Sequence, residues 1–249
     1  MCITREKNTW GSVKKLALDE IAMHKGHQDF VTVVGDIEQG DLLEVIDSHQ
    51  SEQIIEVLEQ QPLAVREQVE EVSSDMWGGF PKVIAKVFPN ALLVYDRFHV
   101  MKLVNRELNQ LRRLVGMRTR GSRYLLLKNR ADLTDEQHLK LEQVLSYSAC
   151  LRIAYELKEE FRQIYQTART PQSGQRRFQA WLNQAGQLYP ASSQTIRDHL
   201  EGICNYFISH SSSGAMEGIN NRIKLIKRQG YGFTNFDNFR NRLLACFND

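Results

Sequence analysis

The chain has 249 residues, 42% of them hydrophobic and 25% charged, enough to bury the core of one large α/β domain or two small ones. A formal net charge of +2 gives no overall bias toward any partner, and no stretch approaches the roughly 18 apolar residues that span a bilayer. The opening MCITREKNTW lacks the apolar run of a secretory signal, so a cytoplasmic location is expected.

The first hundred residues alternate between strand and helix signals. Val13–Ile21 (VKKLALDEI), Phe30–Asp36 (FVTVVGD) and Leu42–Ser48 (LLEVIDS) read as three strands with short polar connectors, an antiparallel meander. The first connector, MHKGHQ, reads as a turn, although His24 and His27 stand three apart. Ser51 starts a helix, SEQIIEVLEQQP, with Ile54, Ile55 and Leu58 at helical spacing and Pro62 just beyond. Val69–Ser74 is a weak strand signal ending at Asp75. Trp77–Phe88 reads as a helix broken by Pro89-Asn90, and Ala91–Tyr95 (ALLVY) as a fully apolar strand ending at Asp96. The helical connections after the meander favour parallel pairing.

Beyond Phe98 strand signals vanish. A basic helix is expected from about Val100 to Arg113, with room to continue to Leu127. Thr134 with Gln137 resembles a capping box. Further helices are expected over Cys150–Thr167, Arg176–Gln184 and Thr195–Ile208, with Gly174, Gly186 and Pro190 as separators. The last two are Ala215–Arg228 and Asn235–Phe247, flanking the glycine-punctuated GYGFTN, with Asn235 as a candidate N-cap.

Charge is unevenly spread along this plan. From Asp36 to Asp75 there are twelve acids and one base, Arg66. From Arg97 to Arg130 there are ten Lys/Arg and one acid, Glu107. The asymmetry suggests either a polyanion-binding face or a set of solvated helix faces. The four cysteines (Cys2, Cys150, Cys204 and Cys246) lie far apart with no CxxC and no Cys/His cluster, which gives no support for a zinc site or a disulfide framework.

Three acids stand at informative places. Asp19 closes the first strand, Asp75 closes the fourth, and Glu217 lies in the first turns of a late helix. Side chains at the ends of adjacent strands project into one crevice. Carboxylates gathered there can hold hard divalent cations, and two such ions about 4 Å apart can drive displacement at a phosphodiester. Taken singly, each acid also reads as a solvated turn residue. On the Glu217 helix, Met216, Ile219, Ile223 and Ile226 form an apolar stripe. Glu217, Asn221, Lys224 and Arg228 follow on a neighbouring face, where Lys and Arg would position a nucleic acid by its phosphates. Asp96 and His99 stand three apart at a strand-to-helix junction, and Trp77 reads as core or as a base-stacking aromatic. There is no phosphate loop and no nucleophile elbow. The sole G-x-G, Gly230 to Gly232, lies between helices, which excludes a dinucleotide fingerprint.

The succession LALDEIA, VTVVGD and SSDMWGGFPKVIAKVFPNALLVYDRFHV resembles the catalytic domain of DDE insertion-sequence transposases of the ISL-three group. The late SSSGAMEGINNRIKLIKRQGYGFTNFDNFRNRLL resembles the same group's C-terminal block, so the likeness covers nearly the whole chain. The resemblance implies an RNase H-like mixed five-stranded sheet with flanking helices and a large all-helical insertion before the last catalytic helix. The core would span 12–104 and 211–249, and the insertion 105–210. It implies Asp19, Asp75 and Glu217 as a metal-binding catalytic triad for Mg²⁺ or Mn²⁺, two ions in all. A second alignment puts Asp96 in place of Asp75. Asp96 and His99 resemble an accessory D-x-x-H signature. The implied reaction is hydrolysis at transposon ends followed by strand transfer, on double-stranded DNA, by a homo-oligomer. Arg97, Lys102, Arg106, Arg112, Arg113, Lys224 and Arg228 would contact DNA, with no membrane partner and a nucleoid-associated location. Members of the group resemble proteins with an N-terminal zinc-binding segment and a helix-turn-helix, absent here. The alternative expectation is therefore a truncated, catalytically inactive DNA-binding remnant. A general RNase H-like nuclease is a third reading.

Overall fold

Period-two alternation of Val, Leu and Ile lays down three strands: β1 (Lys15–His24), β2 (Gln28–Asp36) and β3 (Asp41–Ile46). In this computed structural model, residues 10–24, 28–211, 214–231, 233 and 235–247 are described. The three strands pair antiparallel as the meander predicts, with a register shift between Val34 and Gly35 against β3. Two short helices follow, α1 (Ser51–Leu58) and α2 (Leu63–Arg66). Then come β4 (Glu71–Ser74), α3 (Phe80–Val87) and β5 (Leu92–Tyr95). Sheet order is β3-β2-β1-β4-β5, and the β1–β4 and β4–β5 pairs are parallel. The chain thus has the RNase H-like arrangement of a mixed five-stranded sheet with flanking helices.

Alternation along β1 feeds two separate cores. Leu16 and Leu18 pack with Ile54, Leu58, Phe80, Val83 and Val87 of α1 and α3 on one face. On the other, Ala17, Ile21 and Met23 pack against α11 (Gly214–Gln229) and α12 (Phe236–Phe247) through Met216, Ile219, Ile223, Phe239 and Leu243. Asn235 Oδ1 accepts the Asn238 N–H at 2.9 Å, the expected cap of α12. Residues 25–27 of the MHKGHQ connector, and Gly232 and Thr234 of GYGFTN, lie outside the described residues.

Residues 97–210 form a second compact unit, distinct from the sheet unit of 1–96 with 211–249. Its helices are α4 (Arg97–Leu114), α5 (Ser122–Leu127), α6 (Asp135–Ser146), α7 (Ala149–Thr167), α8 (Pro171–Ala185), α9 (Pro190–Asp198) and α10 (Leu200–Ser209). Its centre is aromatic: Phe161, Phe178, Trp181 and Tyr189 are fully buried and meet ring to ring. Thr134 and Gln137 make the reciprocal capping box at α6.

Several boundaries differ from the sequence expectation. β1 runs on to His24 because its pairing with β2 continues that far, and α3 begins at Phe80, after the turn that Asp75 and Trp77 make. The basic helix ends at Leu114, as the expected end near Arg113 has it, and does not continue to Leu127, because Gly116 and Gly121 take left-handed φ of 78° and 83° and separate α5 from α4. Gly174 lies inside α8, not between helices, because a Cβ there would meet the Phe207 ring at 2.1 Å. Thr170 caps that helix by accepting the Ser173 N–H, with Pro171 at its first position. Pro190 likewise begins α9, and the stretch expected as one helix from Thr195 breaks at His199. No helix among the described residues is long and apolar enough to cross a membrane.

Candidate active site

The parallel registers decide which acids meet. Leu18 on β1 is in register with Ser74 on β4, and Ser74 with Tyr95 on β5. The next residues are Asp19, Asp75 and Asp96. Asp75 and Asp96 directly follow β4 and β5, but Asp19 does not close its strand as expected: β1 goes on pairing with β2 as far as His24, so Asp19 lies inside β1, at the point where the β4 pairing stops. The Asp96 N–H donates to the Ser74 carbonyl at 2.9 Å. Adjacent strands lie about 4.8 Å apart. Asp19 and Asp75 are thus direct neighbours, whereas Asp96 is two strands from Asp19. Asp75 Oδ1 accepts the Trp77 N–H at 2.9 Å, turning the chain into α3. Trp77 packs edge-on against Phe80 with ring centroids 4.9 Å apart, beside the core.

Both oxygens of Asp19 are held. Oδ1 accepts the Glu20 N–H at 2.8 Å, and Oδ2 accepts Asn220 Nδ2 at 2.6 Å. Asn220 is buried on α11, and its Oδ1 has no donor among the described residues. Neither Asn220 nor Glu20 was singled out by sequence reasoning. Burial, and then the charges of Asp75 and Asp19, push the Glu20 carboxyl up to about 7. Burial and Asp75 also raise the Tyr95 hydroxyl. The signal for Glu20 was present, an acid directly after Asp19. For Asn220 it was an amide three residues after Glu217.

Glu217 is exposed in the first turn of α11, three residues before Asn220. Three residues rise about 4.5 Å along a helix and stay on one side of it. The predicted stripe of Met216, Ile219, Ile223 and Ile226 is buried against β1 and β2. Gly35 permits that close seat: a Cβ there would lie 2.7 Å from Ile219 Cδ1. Lys224 and Arg228 are exposed on the same helix, while Lys227 donates to the Ala22 carbonyl at 2.9 Å.

A hard divalent cation suits an all-oxygen donor set of the kind that Asp19 and Asp75 offer. Among the described residues, no three His, Cys, Asp or Glu side chains converge into a cage for an ion. Asp19 and Asp75 are brought together by the sheet. Glu217 is brought to the same helix turn as the amide that touches Asp19.

The α4 cations divide into two kinds. Lys102, Arg106 and Arg113 are exposed. Arg112 is occupied locally, donating from Nε to Asn109 Oδ1 at 3.0 Å and from Nη1 to the Met117 carbonyl, and burial followed by Arg113 and Arg123 lowers its pKa. Arg97 lies 5.4 Å over the Tyr165 ring. His99 Nδ1 is buried without a hydrogen-bond partner among the described residues. Glu107, the lone acid of the basic stretch, is buried and accepts the Ala191 and Ser192 N–H groups at 3.0 and 2.7 Å, capping α9.

A mixed five-stranded sheet in this order, with flanking helices, places the chain in the RNase H-like class of folds. Comparison with known proteins narrows it. A family described as transposase, of the DDE ISL3 type, matches residues 16–243. The chain is 31% identical over 253 residues to the transposase for insertion sequence element IS1001 of Bordetella parapertussis, covering 96% of this chain and 62% of that protein. It is 24% identical over 259 residues to the transposase for insertion sequence element IS1557 of Mycobacterium tuberculosis, covering 90% and 58%. A shorter match, 31% over 120 residues, is to a protein of Lactococcus lactis named ATP-dependent protease; it covers 47% of this chain. The chain belongs to the ISL3-type DDE transposase family, and it spans about 60% of the length of the two insertion-sequence relatives.

Proposed function

We propose that this chain carries the catalytic domain of an insertion-sequence transposase, cleaving DNA strands and joining them to a target with Mg²⁺ or Mn²⁺. The observation that carries the reading is the β1–β4 register, which sets Asp19 beside Asp75 at about one strand spacing. Asp19, Asp75 and Glu217 would hold two ions, which supply charge neutralisation and nucleophile activation at the scissile phosphate. Asp19 is held within β1, and Asp75 directly follows β4. Adjacency to β1 favours Asp75 over Asp96 as the second ligand. Asp96 and His99 would act as accessory groups.

Double-stranded DNA is the partner of this reading, at transposon ends and at the target. Lys102, Arg106 and Arg113, together with Lys224 and Arg228, would neutralise phosphates. Arg97 and Arg112, engaged within the helical unit, would contribute less. The helical residues 105–210 are the insertion of this reading, between core segments 12–104 and 211–249. Action on paired ends would require a homo-oligomer, in the cytoplasm at the nucleoid. A second reading is DNA binding without cleavage.

The test is nicking of supercoiled DNA by the purified chain with Mg²⁺ or Mn²⁺, beside Asp19→Ala, Asp75→Ala, Asp96→Ala and Glu217→Ala. The reading expects loss of nicking in Asp19→Ala, Asp75→Ala and Glu217→Ala, and a smaller loss in Asp96→Ala. Equal activity in all five proteins would remove the mechanism. Salt-sensitive binding with no nicking under either metal would leave the second reading.

A further inference from the structure

We infer that Asn220 is a positioning residue of the metal site, fixing the first aspartate and the helix of the third carboxylate as one unit. The inference rests on the catalytic reading above and deepens it. An ionised carboxylate only accepts hydrogen bonds, so the amide group facing Asp19 must be the nitrogen. That nitrogen donates to Asp19 Oδ2 at 2.6 Å, while the Glu20 N–H holds Oδ1 at 2.8 Å. The carboxylate is therefore locked in one orientation, yet keeps lone pairs open to a cation. The same amide joins α11 to β1 within one turn of Glu217.

The rest of the Asn220 environment argues against a stabilising role. Its side chain is nine-tenths buried, yet its Oδ1 has no donor among the described residues. A buried acceptor left unmade costs stability. Asn is also a poorer helix former than Ala. The apolar stripe of Met216, Ile219, Ile223 and Ile226 already seats α11 without it. What the amide provides is orientation of Asp19 and linkage to Glu217, the role that outer groups play around metal ligands.

Mn²⁺ binding to the whole chain separates the possibilities, read by calorimetry and by the Mn²⁺-induced rise in melting temperature. Asn220→Ala is expected to bind Mn²⁺ about tenfold more weakly than wild type, within the range for loss of a group that orients a ligand. Its metal-free melting temperature should not fall. Asn220→Gln, which keeps a donor amide on the same helix, is expected to recover most of the affinity. The metal-induced rise compares each variant with itself, so a change in overall stability does not mask the result. Asp19→Ala distinguishes the two levels. If Asp19→Ala weakens Mn²⁺ binding but Asn220→Ala does not, the inference fails and the catalytic reading stands. If Asn220→Ala chiefly lowers the metal-free melting temperature, the amide is structural and the inference fails. If wild type and Asp19→Ala bind Mn²⁺ equally, the site reading fails and takes the inference with it.

Discussion

Gly35 controls how closely α11 sits on the sheet, and Gly35→Ala tests that seat. A Cβ at this position would lie 2.7 Å from Ile219 Cδ1 and 3.3 Å from Met216 Sδ. Carbon atoms pack best at about 3.5–4.0 Å, so the Ile219 methyl must withdraw by roughly 1 Å or the helix must lift. Ile219 is only 2% exposed, which leaves the methyl little room to withdraw. Overpacking of this kind costs about 1–3 kcal/mol, and the gain from replacing a strand glycine returns about 0.5–1 kcal/mol. The net expectation is a loss of about 1–2 kcal/mol. Ile219→Val deletes the clashing methyl and should cost about 0.5–1.5 kcal/mol alone. In the double variant the added methyl fills the space that Cδ1 vacates. Gly35→Ala with Ile219→Val should therefore fall short of the sum of the single losses by about 1 kcal/mol. Urea denaturation of the four proteins, followed by circular dichroism, gives the cycle. Additivity within about 0.3 kcal/mol would refute the claim that Gly35 and Ile219 share one space.

Three further outcomes follow from buried charge. The Glu20 carboxyl, pushed up to about 7 in the folded chain from 4.5, holds a proton that the unfolded chain has lost, so stability falls as pH rises from about 4.5 to 7. Glu20→Gln should therefore raise the melting temperature at pH 8 and change it little at pH 4; an equal rise at both would contradict the stated environment. Burial lowers the Lys158 amine to about 8 from 10.5, so the folded chain releases that proton first and the contribution of Lys158 to stability improves as pH climbs between those values. Lys158→Met should remove that gain, measured as the difference between variant and wild-type melting temperatures at pH 8 and 10. Glu107→Ala strips the acceptor from two N–H groups at the start of α9 and should destabilise the helical unit by about 2–3 kcal/mol in thermal denaturation, with Glu107→Gln recovering part of the loss.

Most of the sheet unit was legible in the sequence because its signals are local. Alternation located β1, β2 and β3, the ALLVY run located β5, and the cap at Asn235 marked the start of α12. The helical unit was read less well. Gly174 and Pro190 looked like separators because their sequence meaning is a break. Gly174 instead gives space to the Phe207 ring, and Pro190 occupies a first helical position where its missing N–H costs nothing. For the candidate site, Asp75 and Asp96 were visible as residues that close strands, whereas Asp19, read the same way, lies inside β1, because the pairing with β2 that carries the strand on to His24 is not local. That Asp75 neighbours Asp19 while Asp96 lies one strand farther depends on pairing across more than fifty residues. Glu20 and Asn220 were missed for the same reason: what marks them is the company of residues remote in sequence, Asp75 for one and Asp19 for the other. Arg112 shows the reverse error, a cation counted toward a binding face that is occupied within its own turn.

The side-chain period of β1 links the core to the chemistry. Ala17 and Ile21 must face α11 to bury their surface, so Asp19 between them faces α11 as well. Leu16 and Leu18 face the α1 and α3 core on the other side, and Glu20 follows them in alternation. A register slip of one residue would send Asp19 to the wrong face and place Leu18 or Glu20 against Asn220, at the cost of the whole apolar set. Hydrophobic burial on both faces therefore holds the aspartate in place with far more energy than its own two hydrogen bonds supply. The two cores hold the acids in position, and the amide from α11 fixes the orientation of the one that both cores share.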